Sequence, residues 1–320
     1  MLARTRFFAL ALVAFTGSAA AGEWPTKPVR IIYPYAAGST GDAAARLIAR
    51  QLSDRFGQPF ILENRAGANG VLGTDAVARS APDGHTLLWA VTPQIAISPV
   101  MTKVPYDPSL DFVPITAVST NRFALLVNAR MPVRTVPEFI EYVRAQSTGF
   151  TYAEGGAGSI SHLAMVLFLN RAGLNGTNVS YKGIQPALTD VVAGHLPAMF
   201  ALFGDALSQA ESGAIRLLGV SSEQRSAQAP YVPTIAESGF PGFKSTSWWG
   251  LMAPAGTPKG IVDRIAAEVG SATRDPKIVE RLTSLGVDPI GSSPAEFAAM
   301  VRSDMELWGQ AVKLAGLQAR

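Results

Sequence analysis

Ser39, Thr40 and Asp42 stand just after Tyr35-Ala36-Ala37-Gly38, and Ser159, Ser161 and His162 stand just after Gly155-Gly156-Ala157-Gly158. Both stretches place small residues and hydroxyls directly ahead of a helical pattern. The first N–H groups of a helix have no internal acceptor and carry partial positive charge. A loop of Gly, Ala and Ser lets an anion approach such a backbone closely. The chemistry on offer is capture of a negatively charged group by peptide dipoles. A plainer reading stays open for each stretch: an ordinary strand-to-helix turn in which Ser39 or Thr40, and Ser159, only cap their own helices. Neither stretch fits a G-x-G-x-x-G or phosphate-loop pattern.

Covalent catalysis is the competing chemistry. Ser159 and His162 are three positions apart on one helix, and Asp190 or Asp205 could complete a triad. Ser159 does not sit in a G-x-S-x-G elbow, and a nucleophile and its base need facing geometry rather than nearness in sequence. His85, His162 and His195 are far apart, with no H-x-x-x-H spacing, which argues against a metal site. His85, after Asp83-Gly84, reads as a turn residue. No cofactor motif appears.

The elements around these residues alternate. Val29 to Tyr33 reads as a strand, and Asp42 begins a helix whose apolar face carries Ala44, Leu47, Ile48, Leu52 and Phe56, stopped at Gly57. Strands at 60–63 and 86–91 flank a helix from Val71 to Ser80. This grammar predicts a parallel sheet covered by helices, with ligands beyond the carboxyl ends of the strands, near the loop after Tyr33 and near Thr92. The middle of the chain repeats it. Strands at 112–118 and 124–127 are separated by Asn121-Arg122. Thr135 to Glu138 forms a capping box for a helix reaching about Gln146. Further strands fall at 151–153, 178–181, 198–202 and 215–220. The last block has a strand at 245–252, a cap at Thr257-Pro258, a helix from Pro276 to Leu285, and a second capping box at Ser293 to Glu296. Trp248 and Trp249 face opposite sides of their strand, one toward the core and the other as a possible wall of a cleft. The expected fold is α/β and two-lobed, a clamshell whose lobes are mixed, mostly parallel sheets flanked by helices. The expected divisions are 1–21 as a signal segment, 22–121 and 243–320 as one lobe, and 122–242 as the other. The hinge would lie near Ser119 to Phe123 and near Phe240 to Ser245.

Composition narrows the function. The chain has 27 basic and 24 acidic residues and no cysteine. No basic stripe appears, so nucleic acid is not an expected partner. The absence of cysteine excludes disulfides and thiolate metal sites. Arg4 and Arg6, the apolar run from Phe7 to Phe15, and Ser18-Ala19-Ala20-Ala21 read as a secretory signal with its cleavage site. An exported, monomeric, soluble protein is expected.

The whole pattern resembles the Bug-type periplasmic solute-binding receptors of tripartite tricarboxylate transporters. The likeness rests on Trp24 to Arg30, Pro34 to Gly38 leading to Asp42, Glu63 to Gly70, and Asp83 to Leu88. It continues through Gly158-Ser159 to His162-Leu163, Tyr181-Lys182-Gly183, Ala229 to Gly239, and Ala253 to Pro258. It implies a clamshell that closes on a small organic acid and hands it to membrane transporter subunits, or presents it to a sensor's outer domain. It implies no catalysis and no cofactor. The loop from Tyr35 to Asp42 would hold a carboxylate through backbone groups and water, and the loop from Gly156 to His162 would meet it from the other lobe. Tyr181, Gly183 and Asp205 join Thr92 as further candidate ligand-binding residues. Two positions depart from the family pattern: Ser39 stands where a second Gly is usual, and Ala201 where an acidic residue is common.

Overall fold

The computed structural model describes residues 24–147 and 149–318, so the expected signal segment lies outside the described residues. The β-branched run forms β1 (Val29–Tyr33), and α1 (Thr40–Phe56) follows the first small-residue loop. Gly57 ends α1 in the left-handed conformation, φ 67°, which costs glycine no Cβ clash. β2 (Phe60–Asn64), α2 (Val71–Ala78) and β3 (Thr86–Val91) complete the unit, with β1 paired in parallel to both β2 and β3. All six residues of β3 are buried, as befits a strand covered on both faces. Thr92-Pro93 ends it, and the chain passes through a π-helical turn into the short α3 (Ser98–Met101).

The next strand differs from the sequence expectation. Residues 112–118 and 124–127 are not two strands but one, β4 (Phe112–Asn128), with Asn121 and Arg122 inside it. Those polar residues do not break the strand because the sheet answers them: Arg122 pairs with Asp288, and Asn121 meets Ser247. Register shifts near Pro114, Ala117 and Leu125 bend β4 along its length. β4 then serves both halves. Its early part pairs with β9 (Thr246–Pro254) and its later part with β7 (Ala198–Leu202) and β8 (Ile215–Val220), always antiparallel.

Around β7 and β8 the second half builds α4 (Val136–Arg144), β5 (Thr151–Glu154), α5 (Ile160–Arg171), β6 (Thr177–Ser180), α6 (Ile184–Ala193) and α7 (Phe203–Glu211). β5 and β6 pair in parallel. The sequence reading missed α7. The box at the start of α4 is also displaced: Thr135 caps Glu138 N–H, but the Glu138 carboxylate accepts from Arg134 N–H (2.6 Å).

β9 pairs with β3 and leads to α8 (Lys259–Ala272), α9 (Pro276–Ser284), β10 (Asp288–Pro289) and α10 (Pro294–Leu314). Thr257 does not cap α8, since its hydroxyl donates to Pro254 carbonyl oxygen (2.7 Å) and the helix begins at Lys259 after Pro258. The Ser293–Glu296 box is complete. α10 joins the halves: Phe297 and Val301 pack with Ile95 and Trp248, whereas Trp308, Ala311 and Val312 pack with Phe139 and Phe168. A continuous strand and a shared helix thus tie the packed interiors of the two halves together. No helix among the described residues is long and apolar enough to cross a membrane.

The junction of α10 with β9 has no spare room. A Cβ on Gly250 would meet the Phe297 ring and lie 2.8 Å from Thr116 carbonyl oxygen. Gly250→Ala is expected to cost about 1–3 kcal/mol of stability, as overpacking does. Urea unfolding checks it; an unchanged midpoint would show that the contact yields freely.

Candidate functional site

The first loop is built by its own helix. Ser39 is the N-cap of α1, and its Oγ accepts from Asp42 N–H (3.2 Å) while bonding Tyr33 OH (2.9 Å). The serine that replaces a usual glycine thus supplies both the cap and a tie to β1. Asp42 is buried, and its carboxylate turns back into the loop. It accepts from Gly38 N–H (3.2 Å), Asn64 Nδ2 (2.9 Å) and the Arg46 guanidinium (3.0 and 3.2 Å). Burial raises the Asp42 pKa, but the bonds from Arg46, Asn64 and Gly38 outweigh it and hold the carboxyl below its ordinary range. Asn64 also donates to Tyr35 carbonyl oxygen (3.1 Å), and Tyr35 OH donates to Asn69 carbonyl oxygen (3.2 Å). Ala36, Ala37, Gly38, Ser39 and Thr40 are all exposed.

The second loop repeats the plan. Ser159 is the N-cap of α5, and its Oγ accepts from His162 N–H (3.3 Å) and bonds Ser161 Oγ (2.9 Å). Glu154, fully buried at the end of β5, accepts from Gly156 N–H and from Asn178 Nδ2 (3.2 Å). Each loop therefore has a buried acid behind it, an asparagine from the next strand, and a glycine N–H on the acid. Gly155 N–H donates to Ser161 Oγ (2.9 Å) and Gly158 N–H to His162 Nδ1 (3.1 Å).

This bonding decides which donors remain. The N–H groups of Gly38, Gly156 and Gly158 are used inside the loops. With the caps serving Asp42 and His162, helix geometry leaves Thr40 and Gly41 N–H unused at α1, and Ile160 and Ser161 N–H at α5. Sequence reasoning missed Asn64, Glu154 and Asn178. A signal existed in the repeated order of Gly-rich loop, helix and asparagine-bearing strand, but only the pairing of β5 with β6 shows which asparagine reaches which acid.

The other candidates are placed as follows. Thr92 is fully buried, and its Oγ1 accepts from Trp248 N–H (2.9 Å), locking the end of β3 to β9. Trp248 is core, whereas Trp249 is half-buried, with its ring 3.5 Å from where a Gly41 Cβ would lie. Gly183 and Ile184 crowd Gly155, where a Cβ would lie 2.8–3.1 Å from them, so the start of α6 abuts the second loop. Tyr181 OH points to Asp190 (2.5 Å), which with burial pushes its pKa up to about 12. Asp205, in the first turn of α7, accepts from Gln185 Nε2 (2.8 Å), and burial raises its pKa. Ala201 is fully buried opposite Ala124, inside the core of the second half. Two approaches between the halves are close, Met101 against Gly158 of the second loop and Gly286 against Gly204 of α7. A surface cavity of about 780 Å³, lined by Thr135, Pro137, Leu217 and Tyr231, lies in the second half and includes no candidate residue.

The triad does not assemble. His162 Nδ1 is occupied by Gly158 N–H, Asp205 by Gln185, and Asp190 by Tyr181 and His195. Burial lowers the His162 pKa more than Glu154 raises it, so the imidazole is neutral at pH 7. Among the described residues no three His, Asp or Glu side chains gather as a metal site.

Two α/β lobes joined by a strand and a helix, each presenting a capped helix start behind a small-residue loop, define a two-lobed solute-binding protein. The chain belongs to the tripartite tricarboxylate transporter family of receptors, matched over residues 44–317. It is similar in structure to Rpa4515 of R. palustris with adipate, at 32% identity and a TM-score of 0.77, covering 92% of this chain and 99% of that one. It is similar to the periplasmic binding protein BugD, at 31% identity and a TM-score of 0.74, covering 93% of this chain and 100% of that one. A third likeness is to MatC of Rhodopseudomonas palustris with bound malate, at 31% identity and a TM-score of 0.73, covering 90% and 100%. The family is one of solute-binding receptors, not enzymes.

Proposed function

We propose that this protein captures a small organic carboxylate in the periplasm, between its two lobes, and delivers it to a tripartite membrane transporter. Family membership and the adipate and malate held by relatives support the class of ligand. The observation that carries the reading is the doubled helix start. The N–H pairs of Thr40–Gly41 and Ile160–Ser161 are left over after each loop has met its own needs. Fixed peptide dipoles of this kind suit an anion and need no lysine or arginine in the site. Tyr35 to Asp42 and Gly156 to His162 form the two jaws, with Asp42 and Glu154 holding them in shape from behind rather than touching the acid. Tyr181, Gly183 and Asp205 belong to the surrounding walls, and Thr92 supports them from within by locking β3 to β9.

A ligand that binds only the folded state stabilises it by about 2.7 kcal/mol at a hundred times its Kd. A thermal-shift screen of acetate, benzoate, malate, adipate and citrate is therefore expected to find at least one acid that raises the melting temperature. Stabilisation by neutral or cationic solutes alone would overturn the proposal.

A further inference from the structure

We infer that Trp249 is the wall that sets ligand preference, and that it favours a carboxylate carried on a flat apolar body. This rests on the receptor reading and deepens it. The indole is fixed at both ends. Its ring packs on the first turn of α1, where Gly41 has no side chain: a Cβ there would lie 2.6 Å from Tyr33 OH and 3.5 Å from Trp249 Cζ2. Its N–H donates to the Asn121 amide oxygen (3.3 Å) when that amide is oriented to meet its neighbours, an arrangement that also accepts from Ser247 Oγ (3.2 Å). Asn121 lies in β4, the strand common to both lobes. The indole is therefore a rigid, partly exposed face beside the Thr40–Gly41 donors, with its one polar atom already satisfied. A face of that kind rewards an aryl or flattened apolar group by stacking or edge contact.

Three arginines near the first loop and the shared strand are already paired. The guanidinium groups of Arg46, Arg65 and Arg122 are each engaged by a carboxylate, of Asp42, Glu63 and Asp288. Lys182, beside Gly183, is exposed, so the wall creates a preference among acids rather than an exclusion.

Calorimetry with benzoate, propionate and adipate tests this on the wild type, Trp249→Phe and Trp249→Ala, with circular dichroism to check folding. Wild type is expected to bind benzoate more tightly than propionate. Trp249→Ala is expected to weaken benzoate by about three- to tenfold, the scale of an aromatic contact, and to leave propionate within about twofold. Trp249→Phe keeps a ring and is expected to retain most of the preference, while losing any benzoate-induced change in tryptophan fluorescence. An unchanged benzoate-to-propionate ratio in Trp249→Ala would overturn the wall while leaving the receptor reading intact. No stabilisation by any acid of the thermal screen, together with no heat here, would remove that reading and the wall together.

Discussion

Replacing Asp42 with alanine is expected to lower carboxylate affinity at least tenfold and to destabilise the protein by about 2–3 kcal/mol. The carboxylate joins Gly38 N–H, Asn64 and Arg46, and Asn64 in turn holds Tyr35. Its removal costs the half-buried Asn64 amide one of its acceptors, leaves Gly38 N–H without its partner, and lets the loop drift from the helix start. Arg46 is half exposed, so solvent screens its share. Asp42→Asn keeps one acceptor oxygen and is expected to fall between. The carboxyl is held below its ordinary range, so its contribution is present above pH 4 and fades only as pH drops through the lower folded value. Chemical unfolding and calorimetry at pH 7 measure both effects. Normal affinity in a folded Asp42→Ala protein would show that the loop holds its shape unaided.

Asp304 should behave in the opposite sense. It is buried on α10, between the residues that serve the two cores, and accepts from Trp248 Nε1 (2.8 Å). Burial raises its pKa to about 6, against the opposing pull of the Trp248 bond, Lys244 and Trp308. A carboxyl with a raised pKa lends stability fully below its unfolded value near 4, and that stability is lost as pH rises through about 6. From 3.8 to about 6 the difference corresponds to roughly 3 kcal/mol as an upper bound. Asp304 therefore adds stability as pH falls from 8 to 5, against the opposing loss from the lowered pKa of His162, and the loss of Asp42 follows below about 4. Asp304→Asn retains an acceptor for Trp248 without the charge. It is expected to stabilise the protein at pH 8 by about 1–3 kcal/mol and to change little near pH 4. Melting curves across this range check it, and equal effects at both ends would contradict the assignment.

The sequence made the local grammar readable because period and punctuation agree. β1, α1 and β3 carry unambiguous patterns, and Gly57 and the Ser293–Glu296 box mark helix ends by chemistry that acts within four residues. What could not be read depends on partners far along the chain. Asn121 and Arg122 look like a break between strands until Ser247 and Asp288 arrive to satisfy them. α7 begins at Leu202-Phe203 without a side-chain cap, so no signal announced it. Thr257 resembled a cap because Pro258 follows, but its hydroxyl was drawn to the turn behind it. The same limit applies to the site. The loops were visible as glycines and serines, whereas the acids that shape them, Asp42 excepted, were hidden in strands. Glu154 at the end of β5 reads as an ordinary surface residue until β6 brings Asn178 beside it.

The proposed grip can be observed amide by amide. An acid that stabilises the protein in the thermal screen would be titrated into isotope-labelled protein, and the backbone amide resonances followed by NMR. Thr40 and Gly41 from one lobe, and Ile160 and Ser161 from the other, are expected to shift together along a single saturation curve. Saturable binding that moves the amides of only one lobe, or shifts centred on the cavity around Thr135 and Tyr231, would contradict it.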